Sequence, residues 1–182
     1  MPRPPRSRLL PRLLALPAAT VLLALPAARL TAQARPAAAT AARPTLAQVL
    51  TGTWELDAAR SEFGPMPRPS AMTRRLQVTR EAVEMTIAQT TPQGAITGIF
   101  RCPIGGQSCR NAQGSSETTG NARWERGSLI VVTTLDRLIG PDLTTVDRYL
   151  ISPDGSTLTV ERTFEAGGVA SASKGRLIFH RR

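Results

Sequence analysis

The sequence is short of the side chains that most chemistry needs. In 182 residues it holds one histidine, His180, two cysteines, Cys102 and Cys109, and one lysine, Lys174. That supply all but excludes zinc hydrolases and triads that work through histidine. It also lacks a long apolar run: Leu13 to Leu25 spans 13 residues and contains Pro17, short of the roughly 20 that a membrane-crossing helix needs. Before Gly52 there is no glycine, and before Glu55 no acid.

What stands at the start instead is a pattern for export. Arg3, Arg6, Arg8 and Arg12 precede the apolar run, and Ala32-Gln33-Ala34 offers small residues for cleavage after Ala34. Residues 1–34 are therefore expected to be a signal peptide, and the mature chain to be periplasmic or secreted with no membrane span. No cysteine precedes Cys102, which excludes a lipid-modified N-terminal cysteine, and the arginines form no twin pair. The formal net charge of +10 shrinks accordingly. The leader removes five arginines, and Arg35 and Arg43 belong to an Ala/Pro-rich linker over 35–45, leaving +3 for the rest. Those basic residues are scattered, with no basic run and no aromatic–basic motif, which argues against a nucleic-acid partner.

The domain boundary shows in three residue types at once. Residues 1–45 carry eight of the 15 prolines, none of the 14 glycines and no aromatic residue. The folded domain is expected over 46–182, led by one or two helical turns that Thr45 caps and Gly52 closes. Beyond them the period is two. Strands are expected over Thr53–Leu56, Thr73–Arg80, Val83–Thr90, Ala95–Cys102, Glu117–Arg126, Ser128–Leu135, Thr144–Ser152, Thr157–Glu165 and Ala170–Arg181. Turn residues join them at Pro92-Gln93-Gly94, Arg126-Gly127, Gly140-Pro141-Asp142, Pro153-Asp154-Gly155 and Gly167-Gly168. Short antiparallel strands in one meander leave two sheet edges, and closing the sheet removes both. The fold class is therefore all-β, an antiparallel up-and-down β-barrel of about eight strands.

Gly52-Thr53-Trp54, opening the first strand after a short helical lead-in, resembles the glycine-x-tryptophan signature of lipocalins and the wider calycin superfamily. The longer pattern GTWELDAARSEFGP, RWERGSLIVVT and DRYLISPDGSTLTVERTF is similar to exported, lipocalin-like bacterial proteins of uncharacterised role. The resemblance covers nearly all of 46–182. It implies an eight-stranded barrel with a tryptophan at its closed end and, often, an apolar ligand in the lumen. It also implies a basic residue of the last strand packed across that tryptophan, with Arg181 and Arg176 as candidates. The Cys102 to Cys109 loop departs from that pattern.

Six residues separate Cys102 from Cys109, too many for a zinc knuckle, so an exported chain with an even cysteine count points to a disulfide and to no metal. Glu55/Asp57, Glu81/Glu84 and Glu161/Glu165 are carboxylate pairs, yet they alternate with apolar residues and so face solvent; no catalytic set and no cofactor is expected. His180 reads as a strand-end surface residue. The chain is expected to be a binding protein and not an enzyme, its lumen lined by Trp54, Met85, Phe100, Trp124, Tyr149, Arg162 and Phe164 around a small apolar or lipid-like ligand. Gly94, Gly98, Gly120 and Gly127 would leave that ligand room. The other reading of the aromatics is plain core packing, in a structural or partner-binding barrel with a filled interior.

Arg162 falls on the inward face with Leu158, Val160 and Phe164. A two-residue turn at Asp154-Gly155 would place Asp147 opposite it as an internal ion pair. A three-residue turn, which Pro153 favours, would place Val146 opposite it and bring Arg148 inside as well, making a seat for an anionic head group. In the third reading the strand has reached solvent by Arg162.

Overall fold

The computed structural model describes residues 44–137, 140–167 and 169–182, with the side chains of the last strand from Ser173 onward. The expected leader and nearly all of the linker lie outside the described residues. Helix α1 (Leu46–Leu50) starts where Thr45 and Gln48 form a capping box, each side chain serving the other's backbone N–H. It ends at Thr51, one residue before the glycine expected to close it. The Thr51 hydroxyl donates to the Ala47 carbonyl at 2.9 Å and accepts from the Val78 amide at 2.9 Å, which ties the helix to the sheet.

Ten strands follow: β1 (Gly52–Leu56), β2 (Ala71–Val78), β3 (Ala82–Thr91), β4 (Gly94–Pro103), β5 (Cys109–Gln113), β6 (Ser116–Glu125), β7 (Ser128–Leu135), β8 (Leu143–Ile151), β9 (Thr157–Ala166) and β10 (Val169–Arg181). Each pairs antiparallel with its sequence neighbours, and β1 also pairs with β10, so the sheet closes into an up-and-down barrel. The strand count is ten where about eight were expected. β5 escaped the sequence because Cys109-Arg110-Asn111-Ala112-Gln113 has no apolar alternation, and Gly114 makes its turn with a positive φ of 60°. The β6–β7 hairpin turns on Arg126 and Gly127 with φ of 48° and 74°, the double positive φ of a type I′ turn.

β1 is short and β10 long, and the segment after β1 makes up the difference. Along β10, β1 reaches only Phe179, His180 and Arg181. The connection to β2 then continues the pairing, with Glu62 exchanging two backbone hydrogen bonds with Arg176 at 2.8 and 2.7 Å. The Ser61 hydroxyl accepts from the Ile178 amide at 2.9 Å and donates to the Asp57 carbonyl at 2.7 Å. Ile178, on the outer face, is thereby buried. Gly64 lets this strap lie close against β10, because a Cβ there would lie 2.7 Å from the Lys174 carbonyl oxygen.

Candidate functional site

Strand alternation points Trp54, Leu76, Val83, Leu129, Leu158, Val160 and Phe179 into one end of the lumen, where with Leu50 they form a buried apolar cluster. Trp54 is the plug. It is fully buried, its Nε1 donates to the Leu50 carbonyl at 2.9 Å, and the Arg181 guanidinium lies 4.3 Å from its ring centre. Arg181 donates in turn to the carbonyls of Thr51 at 3.0 Å, Gly155 at 3.2 Å and Val49. This explains the glycine of Gly52-Thr53-Trp54. A Cβ at Gly52 would sit 2.6 Å from Arg181 Nη1, and the φ of 149° there is one that side chains rarely adopt, so glycine suits the place where the arginine crosses the tryptophan. Of the two candidates for that role Arg181 fills it, and Arg176 makes the backbone bridge to Glu62 instead.

A polar layer lies above the plug. Asp147 is directly opposite Arg162, and Arg162 Nε and Nη2 donate to its two oxygens at 2.6 Å each. The β8–β9 register is therefore the one that makes an internal ion pair. Val146 faces Thr163 and Arg148 faces Glu161, which corrects the three-residue turn that Pro153 favoured and the anion seat built on Arg148 and Arg162. The hairpin instead has a four-residue loop flanked by Ser152 and Thr157, with the Gly155 amide donating to the Ser152 carbonyl at 2.9 Å. Pro153 keeps its place in the first turn position. Asp154 organises the loop by accepting from Ser152 and Ser156, bonds that hold its carboxyl down at about 2. Arg162 has not reached solvent, since its side chain is 15 % exposed.

Arg74 on β2 completes the layer, and sequence reasoning missed it. Its Nη1 donates to the Tyr149 hydroxyl at 2.6 Å and lies 3.5 Å from Asp147 Oδ2, while the Tyr149 hydroxyl donates to Met85 Sδ at 3.1 Å. The guanidinium lies 5.6 Å from the Tyr149 ring centre and 5.1 Å from that of Phe179. Met72, Leu76 and Val78 share its face. The parity argument that found Arg162 would have found Arg74 too. Burial alone would push the Asp147 carboxyl up, but the guanidinium groups of Arg162 and Arg74 more than reverse it and hold it below the usual range. Burial pushes the Tyr149 phenol up to about 12.

The other end of the lumen is a pocket of about 130 Å³ that opens to solvent. Arg74, Asp147 and Arg162 lie at its base, Met72, Met85, Ile87, Ile96, Phe100 and Leu135 supply apolar wall, and Thr118, Thr133 and Thr145 supply hydroxyls. Of the expected lining residues, Met85, Phe100 and Arg162 line it. Trp54 and Tyr149 lie in the apolar cluster, and Tyr149 reaches the pocket only through Arg74 and Met85. Trp124 is half-buried at the plugged end, its Nε1 3.3 Å from the Arg80 carbonyl it donates to. Phe164 is buried against Gly64. Gly98 lines the pocket, but the space above Gly120 is filled by the Phe100 ring, and Gly94 and Gly127 serve turns.

Among solved structures the fold is similar to that of an SAHS (abundant heat soluble) protein from Ramazzottius varieornatus, at 10 % identity and a TM-score of 0.50, covering 74 % of this chain and 96 % of that one. The fold is calycin-like. No family model and no curated protein matches the chain.

Two features of this calycin-like barrel lie away from the lumen base. Cys102 and Cys109 are joined in the expected disulfide, with α-carbons 5.5 Å apart. It fastens β4 to β5 where only Gly98–Gln113 and Ile99–Ala112 pair, and Asn111 reinforces the seam by accepting from the Arg101 amide at 2.6 Å. His180 Nε2 lies 3.2 Å from Asp57 Oδ2 on the surface, and that hydrogen bond lowers the Asp57 pKa. Among the described residues no three His, Cys, Asp or Glu side chains are grouped to hold a metal, and no helix is long and apolar enough to cross a membrane.

Proposed function

We propose that the chain is an exported binding protein whose open-ended lumen takes one small apolar molecule. The observation that carries this reading is the pocket itself, apolar on its walls with charged groups converging at its base, the arrangement by which ligand sites combine burial with orientation. Its volume of about 130 Å³ sets the scale. An apolar cavity of about 150 Å³ accommodates benzene, so the part of the ligand held inside the lumen is about ring-sized. Binding needs no reaction, and the reading assigns none. Export is supported by the Arg-led apolar leader of the sequence and by the disulfide, which persists in oxidising compartments.

Native mass spectrometry of protein taken from its own host tests the proposal, with a co-purified molecule of ring size expected and an unloaded mass overturning it. Sequencing the N-terminus of the exported protein tests the leader, with Arg35 expected first. The small pocket volume also supports a second reading, a barrel with an effectively filled interior that acts on a partner through its rim loops. An unloaded mass that stays unloaded after incubation with ring-sized compounds favours that one.

A further inference from the structure

We propose that Arg74 is the seat for the carboxylate of a ring-sized acid bound in the lumen, an inference that rests on the binding reading above. Three titratable residues line the pocket, Arg74, Asp147 and Arg162, and Tyr149 adjoins them. With Tyr149 held as the neutral phenol, two guanidinium groups face one carboxylate and the layer carries one uncompensated positive charge. A charge taken out of water without a full counter-charge is costly, and an anion that joins it removes the cost.

Geometry says which arginine is free. Arg162 spends its Nε and Nη2 on both oxygens of Asp147 at 2.6 Å, a two-pronged pairing with nothing left over on that edge. Arg74 receives the remainder, a single contact of 3.5 Å to an oxygen already used. Its Nη1 is taken up by Tyr149, and the rings of Tyr149 and Phe179 fix its plane. Its Nε, on the edge away from Nη1, is buried and has no hydrogen-bond partner among the described residues. Arg74 is 1 % exposed, and within the protein that donor goes unmet.

A carboxylate supplies what is missing: one negative charge to balance the layer, and two acceptor oxygens for a guanidinium edge. A doubly charged phosphate would overshoot the single positive charge and stand against Asp147. A neutral hydroxyl would fill one acceptor position and leave the charge. The apolar wall of Met72, Ile87, Ile96 and Phe100 then receives the ring, and the pocket volume of about 130 Å³ limits the rest of the ligand.

Calorimetric titration of the disulfide-bonded protein with benzoate and with its uncharged counterpart benzamide tests the seat. Wild type is expected to bind benzoate about 10- to 100-fold more tightly, the scale of a charge-assisted hydrogen bond. Arg74→Met is expected to abolish that preference while benzamide binding persists, because the Arg162–Asp147 pair is untouched. If that variant does not fold, Arg162→Met decides the matter. Asp147 then neutralises Arg74, and the preference is expected to vanish as well. Equal binding of the two compounds by wild type overturns the seat and leaves the binding reading standing. A benzoate preference that survives Arg74→Met, or Arg162→Met, also overturns the seat. Binding of neither compound overturns both.

Discussion

The two ends of this barrel are built from the same strands and do opposite things. At the plugged end, inward positions carry Trp54, Leu129, Leu158 and Phe179, and α1 adds Leu50, so large apolar groups meet in one buried cluster. At the other end the same strands offer Thr118, Thr133, Thr145, Gly98 and Gln89, which are too small or too polar to fill the space between them. Between the two lies the layer of Tyr149, Arg74, Asp147 and Arg162. The difference teaches that one end is organised for stability and the other for access, with the charged layer as the boundary between them.

Truncation is the most direct way to break that comparison. Trp54→Ala removes a fully buried ring and the surface that Arg181 lies across. Its expected cost is about 3–5 kcal/mol in a denaturant titration. Arg181→Ala should cost about 1 kcal/mol, since the ring stays buried under the rest of the plug. At the open end Ile87→Ala, on the half-exposed pocket wall, should also cost only about 1 kcal/mol. A cost at Ile87 equal to that at Trp54 would erase the distinction between the ends.

The boundary layer has its own signature. Tyr149 is the only tyrosine in the chain, so near-ultraviolet absorbance during alkaline titration reports it alone. Its folded pKa, raised to about 12 from an ordinary value of 10.0, means that the unfolded chain releases the proton first. The stability that the buried phenol contributes is therefore present below about pH 10 and lost as pH rises from there toward 12, by about 2–3 kcal/mol over the interval. Ionisation near pH 10 with the fold intact would place Tyr149 in solvent and dissolve the layer. Asp147 works in the other direction. Its folded pKa is depressed, so its contribution is present above about pH 4 and lost as pH falls through the folded value.

A comparable effect is expected at the β4–β5 seam. Replacing Cys102 and Cys109 by serine opens a loop of eight residues, which in the chain-entropy model costs about 2.5 kcal/mol. Amide hydrogen exchange should then rise in β5 before it rises in β10. Uniform exchange across the barrel would show that the seam is no weaker than its neighbours.

Local pattern made much of this readable in advance. Alternation in Val83/Met85/Ile87 and in Leu158/Val160 marked strands and their inward faces, because a pleated strand sends every second side chain the same way. Arg126-Gly127 announced a hairpin because both positions need a positive φ. β5 stayed hidden, since its small polar residues are ordered by their neighbours and by a disulfide and carry no apolar signal of their own. The β8–β9 register also lay beyond local turn rules. Pro153 argued for a shorter loop, but the opposite register would have brought Arg148 inside beside Arg162 with no carboxylate facing them, and the barrel took the one that pairs Arg162 with Asp147.

The sequence by itself determined nine of the ten strands, the all-β class, the disulfide partners and the tryptophan at the barrel's start, because each is written in neighbours along the chain or, for the cysteines, in a count of two. Only the tertiary structure decided which arginine crosses Trp54, which inward side chains plug the lumen and which line it, and that Arg74 is left with an unpaired Nε. Those outcomes depend on closure. Joining β1 to both β2 and β10 sets Arg74 of β2 across the lumen from Asp147 and Tyr149 of β8, residues 73 and 75 positions apart. No local rule carries a distance of that length.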